Sequence, residues 1–295
     1  MTPAHAQPRP AKFPGPLAAL RADWPIYLME AAELAAFMVS ACVFTVLLFH
    51  PQSPVVGWNP TLRRALMGLS MGVTAIAIIK SPWGKRSGAH FNPAITCVFY
   101  RMGKIGPYDS CFYVVAHFLG AIAGVGLASL LLGARLAVPQ VNYAVTVPGL
   151  DGVAAAFAAE TFMAALLMST VLVTSARPRL APYTTWLVGL LIANYVFFLA
   201  PVSGFSINPA RTVGSAVFAH VYTSLWVYFL APLLGMFSAA EVFVRWGSLP
   251  VAAHGVRAYL THRHLVQRNV VTVRKQQTQI PIGNDNQKSK GNDRL

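Results

Sequence analysis

Acidic side chains are scarce in this sequence. It holds nine Asp and Glu against 23 Lys and Arg in 295 residues, and only 11% of its residues are charged. A soluble domain carries about a quarter charged residues to keep its surface wet. At 55% apolar and a mean hydropathy of +0.52, this chain lacks the polar surface for that. Cysteine is nearly missing too. Cys42, Cys97 and Cys111 lie in or near apolar runs. That excludes a disulfide framework or cysteine metal cluster and leaves small buried hydrophobes as their reading. His-Glu-x-x-His, Gly-x-Ser-x-Gly and paired-Cys patterns do not occur, so nothing marks a membrane-embedded enzyme. No metal site or cofactor is expected. The stretch MTPAHAQPRPAKFPGPLAALRADWP lacks the apolar core of a signal peptide and reads as a mobile tail over residues 1–25.

What the chain does have is a series of apolar runs of about twenty residues, enough for a helix to cross about 30 Å of hydrocarbon. Spans are expected at 26–49, 62–79, 109–132, 153–175, 183–199 and 224–246. The fold class is therefore an all-α membrane protein. All the Lys and Arg except Arg63, Arg64, Arg135 and Arg211 fall on one side of such a layout. The positive-inside rule puts that side, and both termini, in the cytoplasm of a cell-membrane or plasma-membrane protein. The tail 247–295 is polar and basic. It reads as disordered, or as weakly attracted to anionic lipid. No nucleic-acid motif accompanies its charge, so no nucleic-acid partner is expected.

Two short segments repeat one signal: SGAHFNPAI at 87–95 and SGFSINPAR at 203–211. In each, Asn is a good helix N-cap and the following Pro suits the first helical position. Each therefore starts a helix, one running from Asn92 to about Arg101 and the other from Asn208, too short to span a bilayer. The charged stretch KSPWGKRSG before the first reads as a turn. Ala31-Ala32-Glu33 in the first span matches Ala158-Ala159-Glu160 in the fourth. Each half, about 26–132 and about 153–246, then contains three spans and one half-span. Three is odd, so the halves insert with opposite orientation as an inverted repeat, and the half-helices meet tip to tip near the midplane. Irregular backbone at that depth is tolerated where it lines a cavity or is buried by protein, which implies a polar path. Gly68 with Gly72 and Gly120 with Gly124 read as close helix contacts, and His117 and Asn194 as interhelical hydrogen-bonding groups.

The two Asn-Pro-Ala boxes, the paired Ala-Glu signatures and Arg211 directly after the second box resemble the aquaporin, or major intrinsic protein, family. The resemblance covers roughly residues 26–246. It implies six transmembrane helices plus two half-helices in a right-handed bundle, assembled as a homotetramer with one pore per subunit. It also implies roles for particular residues. Asn92 and Asn208, in boxes completed by Pro93, Ala94, Pro209 and Ala210, would donate hydrogen bonds to passing water, with Pro93 and Pro209 packed together. Carbonyls of Gly88, Ala89, His90, Phe91, Gly204, Phe205, Ser206 and Ile207 would line the path as acceptors. Glu33 and Glu160 would accept from loop N–H groups. Met67, Val196, Phe205 and Arg211 would form the selectivity filter.

That filter departs from the family's water-selective pattern, which usually has His where Val196 stands and Phe where Met67 stands. Phe205 resembles the glycerol facilitators. Thr212, Ala216, Tyr228 and Phe229 resemble the aquaporins. The expected function is a passive channel for water that excludes protons and ions, with glycerol-type conduction as the alternative. A secondary transporter is the rival, since broken helices in inverted repeats also build those. Its coupling site would have to come from Glu30, Glu33, Glu160 or Glu241.

Overall fold

The computed structural model describes residues 15–246. The basic tail 247–295 and residues 1–14 lie outside the described residues. Ten α-helices follow in order: α1 Pro16–Phe49, α2 Pro60–Lys80, α3 Pro82–Ser87, α4 Pro93–Arg101, α5 Pro107–Leu132, α6 Gly152–Ser175, α7 Thr184–Phe198, α8 Ala200–Ser203, α9 Pro209–Ala219 and α10 Val227–Trp246. Six of them, α1, α2, α5, α6, α7 and α10, are long and apolar enough to cross a membrane. Proline sets many of their starts: α1 to α5 and α9 all open on one. At the first helical position the missing N–H has no partner to lose, and the fixed φ already suits the helix.

Two local expectations need correction. The first helix begins ten residues before Ile26, so 16–25 is helix rather than tail. Pro16 starts it, LAALRADW contains good helix formers, and Pro25 inside it forfeits only one backbone bond. Tyr27 ties the extension to the bundle: its hydroxyl reaches the Ala19 carbonyl at 3.3 Å and donates to Asp109 Oδ1 of α5 at 2.6 Å. The stretch after α2 is a short helix, α3, rather than a turn. Ser81 Oγ caps it by accepting from the Gly84 N–H at 2.9 Å.

Packing repeats between the halves. α1 lies along α5, α6 lies along α10, and α2 crosses to α7. These seams are built on small residues, as expected where lipid supplies no hydrophobic drive and helices associate by close packing. A Cβ on Gly120 or Gly124 would strike the Ala31 or Ala35 carbonyl of α1. One on Gly68 or Gly72 would strike the Ala193 or Gly189 carbonyl of α7. In the second half Gly235 of α10 sits equally close to the Thr161 carbonyl of α6. The half-helices α4 and α9 each pack against α5 and α10 and touch one another.

Candidate functional site

Each half-helix is capped by its own asparagine. Asn92 Oδ1 accepts from the Ala94 N–H (2.9 Å), and Asn208 Oδ1 from those of Ala210 (3.1 Å) and Arg211 (3.2 Å). With the oxygens committed, the amide nitrogens turn outward and brace the opposite half. Asn92 donates to the Ile207 carbonyl and Asn208 to the Phe91 carbonyl, both at 2.8 Å. An amide has two N–H groups, so each asparagine keeps one beyond its brace. Pro93, Ala94, Pro209 and Ala210 are buried around the junction.

The chain leading into each box has the same unusual backbone. Gly88, Ala89 and Phe91 have φ of 107°, 50° and 30°, and Gly204, Phe205 and Ile207 have 78°, 52° and 47°. Left-handed conformations cost a non-glycine residue about 1–2 kcal/mol. They persist here because buried side chains hold both loops. Ser87 Oγ donates to Glu33 and Ser203 Oγ to Glu160, at 2.8 and 2.7 Å. The Ser87 and Ser203 carbonyls accept from the hydroxyls of Tyr113 and Tyr228, both at 2.7 Å. His90 pairs with Thr96, and Ser206 with Thr212, at equivalent places.

The carboxylates differ between halves, which corrects one expectation. Glu160 alone accepts the N–H groups of Ser206 (2.9 Å) and Ile207 (2.5 Å). In the first half that work falls to Glu30, which accepts from His90 (3.2 Å) and Phe91 (2.7 Å). Glu33 holds only the Ser87 hydroxyl, and its Oε2 is buried without a partner. Glu30 also meets His117 Nε2 of α5 at 2.9 Å, with both side chains fully buried. Position explains the split: Glu30 and Glu33 are one turn apart on one helix face, and only Glu30 lies across from His117. The signal for Glu30 was present in MEAAE, two acids three positions apart in an apolar span.

Two cavities approach the junction from opposite sides. The first, about 540 Å³, opens on the side of the chain ends between Asp23, Tyr27, Lys104 and Asp109. Gly88 to Asn92 and Phe205 to Asn208 line its far end. Near its mouth the Lys104 amine sits 4.9 Å from the centre of the Phe99 ring, and burial pulls its pKa down to about 8. The second cavity, about 450 Å³, opens on the side of the 133–151 loop. It is lined by Met67, Val196, Phe205 and Arg211, the four expected filter residues, and by Gly204. Phe37 and Phe205 border both cavities, so the constriction lies between them. Arg211 is 8% exposed and its Nη1 has no hydrogen-bond partner.

His117 makes its expected interhelical bond, but Asn194 does not. The Asn194 amide donates to Leu190 of its own helix from an exposed position. Cys42 is buried, whereas Cys111 is exposed on α5. The sequence reading also missed Thr146, whose hydroxyl donates to Thr212 at 3.0 Å and ties the 133–151 loop to α9.

Comparison with known proteins agrees with this architecture. The family model described as Major intrinsic protein matches residues 29–243. A probable NIP-type aquaporin of Nicotiana alata is 35% identical over 161 residues, covering 54% of this chain and 58% of that protein. The chain thus spans under two thirds of that relative's length. Glycerol uptake facilitator protein-like 6 of Lactiplantibacillus plantarum is 32% identical over 59% of this chain and 81% of its own. The crystal structure of the aquaglyceroporin from Plasmodium falciparum shares the fold, with a TM-score of 0.65 over 76% of this chain and 97% of that one, at 19% identity. Helices, boxes and family match converge: the chain belongs to the major intrinsic protein family of integral membrane proteins.

Proposed function

We propose that this protein is a passive channel for water and small neutral solutes, with both termini cytoplasmic and one pore in each subunit of a homotetramer. The observation that carries the reading is the crossed bracing of Asn92 and Asn208, which leaves one amide N–H on each beside the first cavity, which both asparagines line. A solute shedding its water shell there meets donors on the asparagines and acceptors on the loop carbonyls. Two helix N-termini, each equivalent to about half a positive charge, point at the same spot, and Arg211 adds a full charge on the approach. A neutral molecule that exchanges hydrogen bonds can pass. A cation meets a field of its own sign in a low-dielectric slot, where repulsion is strong.

Water is the primary solute in this reading. Glycerol is favoured as a second one by a specific feature: Val196 and Phe205 make the filter wall apolar opposite Arg211, which suits a molecule with a hydrocarbon edge and a hydroxyl edge. The names of the Lactiplantibacillus relative and the Plasmodium structure point the same way. Stopped-flow light scattering on vesicles containing the purified protein tests both. Osmotic shrinkage no faster than in empty vesicles overturns the channel reading. Fast shrinkage without accelerated swelling in a glycerol gradient removes glycerol alone.

A further inference from the structure

The outer cavity carries a second positive charge, on Arg64, beyond the Arg211 charge that serves the cation barrier. Its lining includes two guanidinium groups, Arg64 and Arg211, and no Asp or Glu. Neither arginine has an ion-pair partner among the described residues. Arg64 Nε and Arg211 Nη1 are buried and lack any hydrogen-bond acceptor. A buried donor without an acceptor is costly, and each such group in a native fold calls for a physical reason. The neighbouring Arg63, whose Nε is likewise buried without an acceptor, still has its Nη1 donating to the Leu48 carbonyl at 3.0 Å. Arg64 has no such bond. It is held instead 5.5 Å from the ring centre of Phe197, beside the filter residue Val196.

Position makes the pair a site. Arg64 lies three residues before Met67 on α2, so it stands one turn outside the filter on the same helix face. Arg211 stands at the filter itself. This 450 Å³ space is bordered by both arginines and by apolar walls from Phe37, Phe49 and Val141. Low-dielectric walls focus the field of like charges and concentrate counter-ions. Planar guanidinium forks match the two oxygens of a carboxylate or sulfonate better than a spherical ion.

We propose that the outer vestibule is a binding site for a small monovalent oxyanion, a carboxylate or sulfonate bridging Arg64 and Arg211, and that its occupancy blocks the water path. The anion does not cross, because the passage narrows between Phe37 and Phe205, which border both cavities, and that apolar constriction cannot replace the water shell of an ion. Arg64 supplies the second fork and sets the affinity. This rests on the reading of Arg211 as part of a conducting filter.

The test uses the full chain in vesicles, with sodium methanesulfonate replacing sodium chloride on both sides at constant ionic strength. Methanesulfonate stays ionised and so does not cross lipid as a neutral acid. Water permeability is expected to fall saturably as methanesulfonate rises. In Arg64→Gln the half-blocking concentration is expected to rise about ten-fold or more, because the variant loses its charge-assisted hydrogen bonds to the anion. Arg64→Lys, which keeps charge but loses the fork, is expected to fall between the two and carries the test if Arg64→Gln does not reconstitute. Equal permeability in the two salts at every ratio overturns the site, as does the same blocking curve for wild type and the variants. Permeability absent even in chloride would instead overturn the channel reading.

Discussion

Asn208 donates its side-chain N–H to the carbonyl of Phe91 at 2.8 Å, across a sequence separation of 117. The tip of one half-helix is thereby fastened to the loop that feeds the other. Asn208→Asp keeps the capping oxygen and removes the donor, while placing a carboxylate where two helix N-termini converge. The expected result is a stability loss of about 1–2 kcal/mol, together with a measurable sodium leak. Thermal unfolding and vesicle sodium flux check the two halves separately.

Glu30 and His117 form a buried pair that holds the first loop. Removing one member leaves a buried polar atom of the other without its partner, at a cost of about 1–3 kcal/mol, whereas replacing both costs less. Glu30→Gln and His117→Gln are each expected to lower the melting temperature, and the double variant by less than the sum. A double-mutant cycle on purified protein measures that coupling, and additive losses would show that the pair does not act as a unit.

Arg211→Val removes the full charge at the constriction and leaves the helix-tip fields in place. Proton leak through vesicles loaded with a pH-sensitive dye is expected to rise about ten-fold or more, a barrier loss of about 1.4 kcal/mol or above. Water permeability persists, because the asparagine donors are untouched.

Gly120 permits α5 to touch α1 at the Ala31 carbonyl. Gly120→Val has no space for its side chain without separating the two helices. The expected cost is about 1–3 kcal/mol or more for the overpacked seam, read as a lower melting temperature and poorer recovery of folded protein. Gly126→Ala on the same helix meets only the end of the Phe218 ring and is expected to be milder.

Lys104 titrates near the cavity mouth at about 8, below the ordinary 10.5, because burial disfavours its charge. Between about pH 8 and 10.5 the unfolded chain keeps a proton that the folded chain has released. The contribution of this residue to stability therefore rises with pH across that window and is least below pH 8. Lys104→Met is expected to remove this slope. Melting temperatures of wild type and variant at pH 7.5 and pH 10 give the comparison, and identical slopes would refute it.

Much of this protein was legible before any fold was known. Membrane spans announce themselves by length and hydropathy, because about 30 Å of hydrocarbon admits little else. The Asn-Pro pairs marked α4 and α9 because capping and the proline ring act within a few residues. The glycine pairs marked the helix seams for a similar reason: only a missing Cβ allows such approach. Those features are local, and local physics is written in neighbouring residues.

The tertiary structure decided matters of pairing. Glu33 matched Glu160 in the repeat, yet Glu30 carries the backbone of the first loop because His117 lies across from it on another helix. Asn194 looked like an interhelical group, but α7 turns it outward to satisfy itself on Leu190. Which amide braces which carbonyl, and which arginine of Arg63 and Arg64 finds an acceptor, depends on side chains brought together from far along the chain. Hydrogen bonds are short and directional, so which groups pair was settled only once the helices had packed.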